Sequence, residues 1–315
     1  MRRNLDRLLA SYIAAPAGMA AVDFSAPPGA PALFAPDSVT WRVTKNPVAL
    51  MIGGIAAVIL ELAEPRVRTG VWEHTSFRRD PVARIRRTGY AALASTYAPA
   101  DQARALIARV SAMHARVNGV TPEGVAYRAD DPELLAWVYA TAQFGFVEAY
   151  HRYARKLSEA ERDAYYAEAS DVAALWGVGE TWRSAVEAEA LFQRMRPKLE
   201  RHAIVFEFLE IIARAPLLPG IARPLQTLAI RAAIDLLPAW TRDVLGLNYG
   251  PPASSPASAD KAGEDAGGSY LRRLSFVDET LLRAVGAASE RFAPSDIPPA
   301  LACKRIGLPV DCLYR

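Results

Sequence analysis

The run PVALMIGGIAAVIL, from Pro47 to Leu60, contains no charged residue. It falls short of the roughly 20 apolar residues that cross a bilayer as a helix. An uninterrupted apolar helix that does not span a membrane is a buried one. The run therefore predicts a core helix over 47–63, stopped by Pro65. Around it, Ala-, Leu-, Arg- and Glu-rich segments recur, and alternating β-branched runs of strand length are few. The fold class is all-α, in a single helical domain. At 315 residues, 51% hydrophobic and 23% charged, the chain can bury a sizeable core and is not of disordered composition.

Local signals place the other helices. Asp80-Pro81 and Asp131-Pro132 are entry signals, with Asp as N-cap and Pro in the first helical position. They open helices to about Tyr97 and Lys156. A helix from about Ala100 is expected to end at Asn118-Gly119. Ser158 and Glu161 form a capping box. Further helices are expected at 184–196, 199–214, 221–236, 238–246 and 270–291, with a short one at 1–12. The division is an irregular N-terminal segment (1–44), a helical core (45–247), a flexible linker (248–269) and a C-terminal helix and tail (270–315). The linker is rich in Pro, Ser, Ala and Gly and too poor in large apolar residues to offset its ordering entropy.

The formal charge of +3, with arginines spread over many helices, gives no reason to expect nucleic acid. The two cysteines, Cys303 and Cys312, lack a CxxC spacing. They point to a reduced, cytoplasmic setting and leave open a local bridge that would close the tail. Asp6 and Arg7 interrupt the start of the chain, and Pro16 and Gly18 the apolar part that follows, which argues against a cleaved signal. No transmembrane segment is expected.

Chemistry-bearing residues gather between 64 and 114. His114 shares a helical face with Ile107, Val110, Met113 and Val117. An imidazole there is either a satisfied core histidine or an axial ligand to iron in an apolar slot. Arg84 and Thr88 are one turn apart and can address one cavity. That face is either a solvated surface or a guanidinium and hydroxyl pair that holds carboxylates. Glu64, Glu73 and His74 are placed in a turn before the Arg-rich helix. Phosphate cradles, GxSxG and helical two-His metal motifs are absent from the sequence.

The ordered series LAEPRVRTGVWEHTSFRRDPVARIRRT, MHARVNGVTPEGVAYRADDPELLAWVYATAQFGFVEAY, LSEAERDAYYAEASDVAALWGV and LPAWTRDVLGL resembles the MpaB-like oxygenases, the domain of unknown function 2236, which include the latex-clearing rubber oxygenases. The resemblance covers about Pro47 to Leu247. It implies a globin-like helical core around a haem b pocket. His114 matches the axial ligand, and Arg84, Arg87 and Thr88 match an Arg-x-x-Lys-Thr motif. Arg87 departs from the lysine of that motif, and an arginine stays protonated and does not ligate iron. Glu64 and Glu73, with His74 beside them, match the region of the family's catalytic glutamate.

The resulting expectation is a haem-dependent oxygenase acting on a small apolar organic substrate with O2 or peroxide. In it Glu64, Glu73, His74 and Arg87 serve catalysis, Arg84, Thr88 and His114 bind the cofactor, and His114 ligates the metal. Two other readings use the same residues: a haem-carrying or sensing protein without turnover, and a metal-free helical binding protein.

Overall fold

The computed structural model describes residues 15–248, 270–291 and 296–314. The expected helix at 1–12 and nearly all of the expected linker lie outside the described residues. In chain order come α1 (Val39–Lys45), α2 (Pro47–Ala63), α3 (Pro65–His74), α4 (Pro81–Tyr97), α5 (Ala100–His114), α6 (Pro132–Tyr153), α7 (Glu159–Ala173), α8 (Ala185–Met195), α9 (Ala203–Arg214), α10 (Arg223–Leu236), α11 (Ala239–Leu245), α12 (Phe276–Arg291) and α13 (Pro298–Arg305). Among the described residues the fold is all-α except for one antiparallel hairpin, β1 (Asn118–Val120) and β2 (Ala126–Arg128).

One device starts four of these helices. Asn46, Glu64, Asp80 and Asp131 each precede a proline, and each side chain accepts backbone N–H bonds from the following turn. Such a cap contributes about 1 kcal/mol, and the proline sacrifices no helical donor. The Ser158–Glu161 capping box forms at the start of α7.

The core is built on the crossing of α2 with α6. Ile52, Ile59, Leu60 and Leu62 on one helix and Trp137, Val147, Tyr150 and Tyr153 on the other are buried. At the crossing the backbones nearly touch: a Cβ on Gly53 would lie 2.4 Å from the Gly145 carbonyl oxygen. No residue but glycine fits either place. Helices α9, α10 and α12 pack against this pair. A second apolar cluster joins Trp41, Tyr90, Tyr97 and Leu106 to Cys303 and Leu313 of the C-terminal segment. No single helix among the described residues is long and apolar enough to cross a membrane.

Several boundaries differ from expectation. Glu64, Glu73 and His74 bracket a ten-residue helix and not a turn, because Glu64-Pro65 is a helix entry as well as a stop. Helix α5 ends at His114, and the chain goes straight into the hairpin. Gly119 is thus a strand residue under the Tyr127 ring, where a Cβ would come within 2.7 Å of the phenol oxygen. Met113, expected on the apolar face, is 59% exposed. The N-terminal segment turns helical at Val39, α9 begins at Ala203, α12 begins at Phe276, and α13 was not foreseen.

Candidate functional site

Four helices converge through their polar residues. Glu61 lies in the last turn of α2, Arg84 in the first turns of α4, His114 at the end of α5 and Thr141 in the middle of α6. Glu61 interacts with the Thr141 hydroxyl and with the Arg84 charge, and Arg84 in turn acts on His114. Glu61 is the only charged residue of α2.

The electrostatics are unusual for each member. Burial pushes the Glu61 carboxyl up to about 7, against the pull of Arg84. Burial also lowers Arg84, helped by repulsion from Arg87 and opposed by Glu61. His114 is lowered by burial and then by Arg84, with Asp130 acting the other way. All three are shifted toward the neutral form, yet each keeps some accessible surface. Each is partly open to solvent and still desolvated enough for its charged form to be disfavoured. Two surface clefts of about 390 and 440 Å³, alongside α9 and the turn to α10, involve none of them.

The hydrogen bonds sharpen the picture. Thr141, fully buried, donates to the Val138 carbonyl at 2.9 Å. The same hydroxyl meets the Glu61 carboxyl and, like Arg84, pulls that acid down, a smaller effect than the burial that raises it. Arg84 donates to the Thr88 hydroxyl, and Thr88 donates to the Arg84 carbonyl at 3.2 Å. Arg87 donates to Ser76 Oγ at 2.8 Å and to the Ala83 carbonyl at 3.3 Å. Among the described residues neither guanidinium has a carboxylate within ion-pair distance, nor does the His114 ring have a hydrogen-bond partner. One turn before His114, Ser111 Oγ is buried and unpartnered.

The remaining sequence candidates are engaged elsewhere. Glu64 is 2% exposed, caps α3 through the Val67 N–H at 2.8 Å and pairs with Arg66 at 2.7 Å. Glu73 and His74 are exposed. Both meet the Tyr127 hydroxyl of β2, His74 Nε2 at 3.1 Å and Glu73 at 3.5 Å. They secure the hairpin to α3. The structure brings Arg84, Thr88 and His114 into one neighbourhood, places Arg87 beside Arg84, and adds Glu61 and Thr141. Glu61 had a sequence signal, since it is a lone carboxylate within an apolar helix. Thr141 had none.

No cluster of three or more His, Cys, Asp or Glu able to hold a metal ion occurs among the described residues. A cofactor that brings its own ring of ligands needs only one protein donor, and an unpartnered neutral imidazole is such a donor. The two guanidinium groups, neither of them ion-paired, suit the carboxylates of such a group.

Comparison with known proteins identifies the family of the chain. Residues 41–264 match the family model described as ER-bound oxygenase mpaB/B′/rubber oxygenase, catalytic domain. The uncharacterized protein Rv2237 of Mycobacterium tuberculosis is 32% identical over 182 residues, spanning 55% of this chain and 69% of that protein. The uncharacterized protein Mb2261 of Mycobacterium bovis matches with the same figures. No solved structure matches significantly. With the family model spanning the core helices and all four residues of the junction, the chain belongs to the mpaB and rubber oxygenase catalytic-domain family.

Proposed function

We propose that the recess between α2, α4, α5 and α6 holds haem b and that the protein is an oxygenase of a small apolar organic substrate, using O2 or peroxide. One observation carries this reading. Arg84 and Arg87 lie beside each other with no carboxylate at ion-pair distance, and Arg84 acts on an imidazole that burial shifts toward its neutral form. Charge in a desolvated place without an ion-pair partner is costly, and an anionic cofactor reduces that cost. Haem b supplies iron-centred oxygen chemistry when bound.

The chain's own residues then have distinct tasks. His114 would hold the iron, since burial and Arg84 both favour its neutral imidazole. Arg84, fixed by Thr88, and Arg87, fixed by Ser76, bind carboxylates. Glu61 holds a proton near neutral pH and is the acid–base group. That role passes to Glu61 from Glu64, Glu73 and His74, whose polar atoms secure α3 and the hairpin. The apolar side of α2 excludes water.

The test is the absorption spectrum of purified protein supplied with haem. A Soret band is expected in the wild type and in His151→Asn, and its loss in His114→Ala with the helical signal intact. An unchanged band in His114→Ala removes the ligand assignment. No band in the wild type removes haem altogether.

A further inference from the structure

The C-terminal segment folds back on itself. After α13 the chain reverses at Gly307, which has φ +76°, and a 3-10 turn over Val310–Tyr314 returns across Cys303. Backbone bonds hold the reversal without help from sulfur. Leu308 N–H donates to the Cys303 carbonyl at 2.9 Å, and Cys312 N–H to the Pro309 carbonyl at 3.1 Å. Lys45 of α1 donates to the Leu313 carbonyl and so fixes the residue after Cys312. The outcome is that the chain's two cysteines meet, with Sγ atoms 3.3 Å apart. A disulfide bond is about 2.05 Å long, so side-chain motion of little more than an ångström closes the gap.

We infer that Cys303 and Cys312 form a dithiol site that a hydroperoxide oxidises to an intramolecular disulfide. The two thiols are unequal. Cys303 is fully buried, and burial followed by the contact with Cys312 pushes it up to about 12. Cys312 is only half-buried and meets the oxidant first. Its thiolate attacks the peroxide, the O–O bond breaks, the alcohol or water leaves, and Cys312 becomes a sulfenic acid. The Cys303 sulfur then attacks the Cys312 sulfur, loses its proton, and expels water. Two thiols and one hydroperoxide give one disulfide, one alcohol and one water. The oxidised form closes the loop from 303 to 312 and ties the tail to α13. Through the Arg305 bonds to the Tyr97 and Phe24 carbonyls, α13 is anchored to the far end of α4.

The full-length protein should be treated with a small excess of hydrogen peroxide, quenched and denatured. Titratable thiols should fall from two per chain to none, with the intact mass lower by two hydrogen atoms. A cross-linked peptide should contain both cysteines, and dithiothreitol should restore both thiols. In Cys303→Ser, Cys312 should end as a sulfenate captured by dimedone. In Cys312→Ser, the buried Cys303 should react about tenfold more slowly. Two thiols surviving in the wild type, a disulfide between chains, or a sulfinate as the main product would each overturn the inference. The wild-type measurement decides the matter even where a variant fails to fold.

Discussion

Two junctions among the described residues desolvate charged groups, and they treat them in opposite ways. At the junction of α1, α6 and α12, the Lys45 amine lies 3.3 Å from Glu290, with its side chain 1% exposed. The same Glu290 accepts from Asn46 at 2.7 Å and from the Tyr150 hydroxyl at 2.6 Å. Every charge there has an opposite charge and hydrogen bonds. At the junction of α2, α4, α5 and α6, Arg84 and Arg87 have no carboxylate at ion-pair distance, and Glu61 is shifted toward its protonated form. Satisfied buried charge holds a fold together. Unsatisfied buried charge is tolerated where a ligand supplies the missing half.

That contrast can be broken most decisively at Glu290. Removing one partner of a buried pair leaves the other uncompensated, a loss of about 3–5 kcal/mol. Glu290→Ala should therefore lower the urea midpoint by a large step. A change below about 1 kcal/mol would mean that the Lys45 network is ornamental.

Next in size is the pH dependence of Glu61 in haem-free protein. An acid whose folded pKa is raised, here from 4.5 to about 7, binds its proton more tightly when folded. Stability is then highest below pH 4.5 and is lost as pH rises toward 7. The loss is on the order of 3 kcal/mol at 1.36 kcal/mol per pH unit. Glu61→Gln should abolish this slope, and equal slopes in wild type and variant would show that the carboxyl is not desolvated.

Arg84→Ala should behave unlike Glu290→Ala. Without haem it should change stability far less than Glu290→Ala does, since it deletes a desolvated charge that Glu61 meets only beyond ion-pair distance. With haem it removes charge-assisted bonds worth roughly 1.5–3 kcal/mol each. Haem transfer to apomyoglobin should then be about 10- to 100-fold faster. The smallest effect belongs to Arg79, which is exposed. Arg79→Ala should change stability by no more than about 0.5 kcal/mol and leave haem transfer alone. Equal haem loss in the two arginine variants would make α4 an ordinary charged face.

Much of the fold was legible because its signals are local. Asp80-Pro81, Asp131-Pro132 and Ser158 with Glu161 state their helices within four residues, and each formed. The failures occurred where a local signal has two meanings. Glu64-Pro65 reads as an end but is also a beginning, and Gly119 reads as a helix stop although its purpose is to admit Tyr127. The candidate site was half visible. Arg84, Thr88 and His114 were named from spacing and resemblance, and the structure sets them in one neighbourhood. The link from Glu61 to Thr141 joins residues 80 positions apart and depends on how α2 crosses α6, which no local pattern encodes.

That crossing also limits how the candidate site can be altered. Gly53 and Gly145 meet backbone to backbone, so the gap between α2 and α6 is already at its minimum and owes nothing to side-chain size. Glu61 lies further along α2 and Thr141 further back along α6. The acid and its hydroxyl partner therefore behave like jaws riveted at a fixed opening. A bulkier residue at the rivet would spread the jaws and separate the pair at a distance. Substitutions that change the surroundings of the pair have to come from α4 and α5, which carry Arg84 and His114, while the jaws keep their gauge.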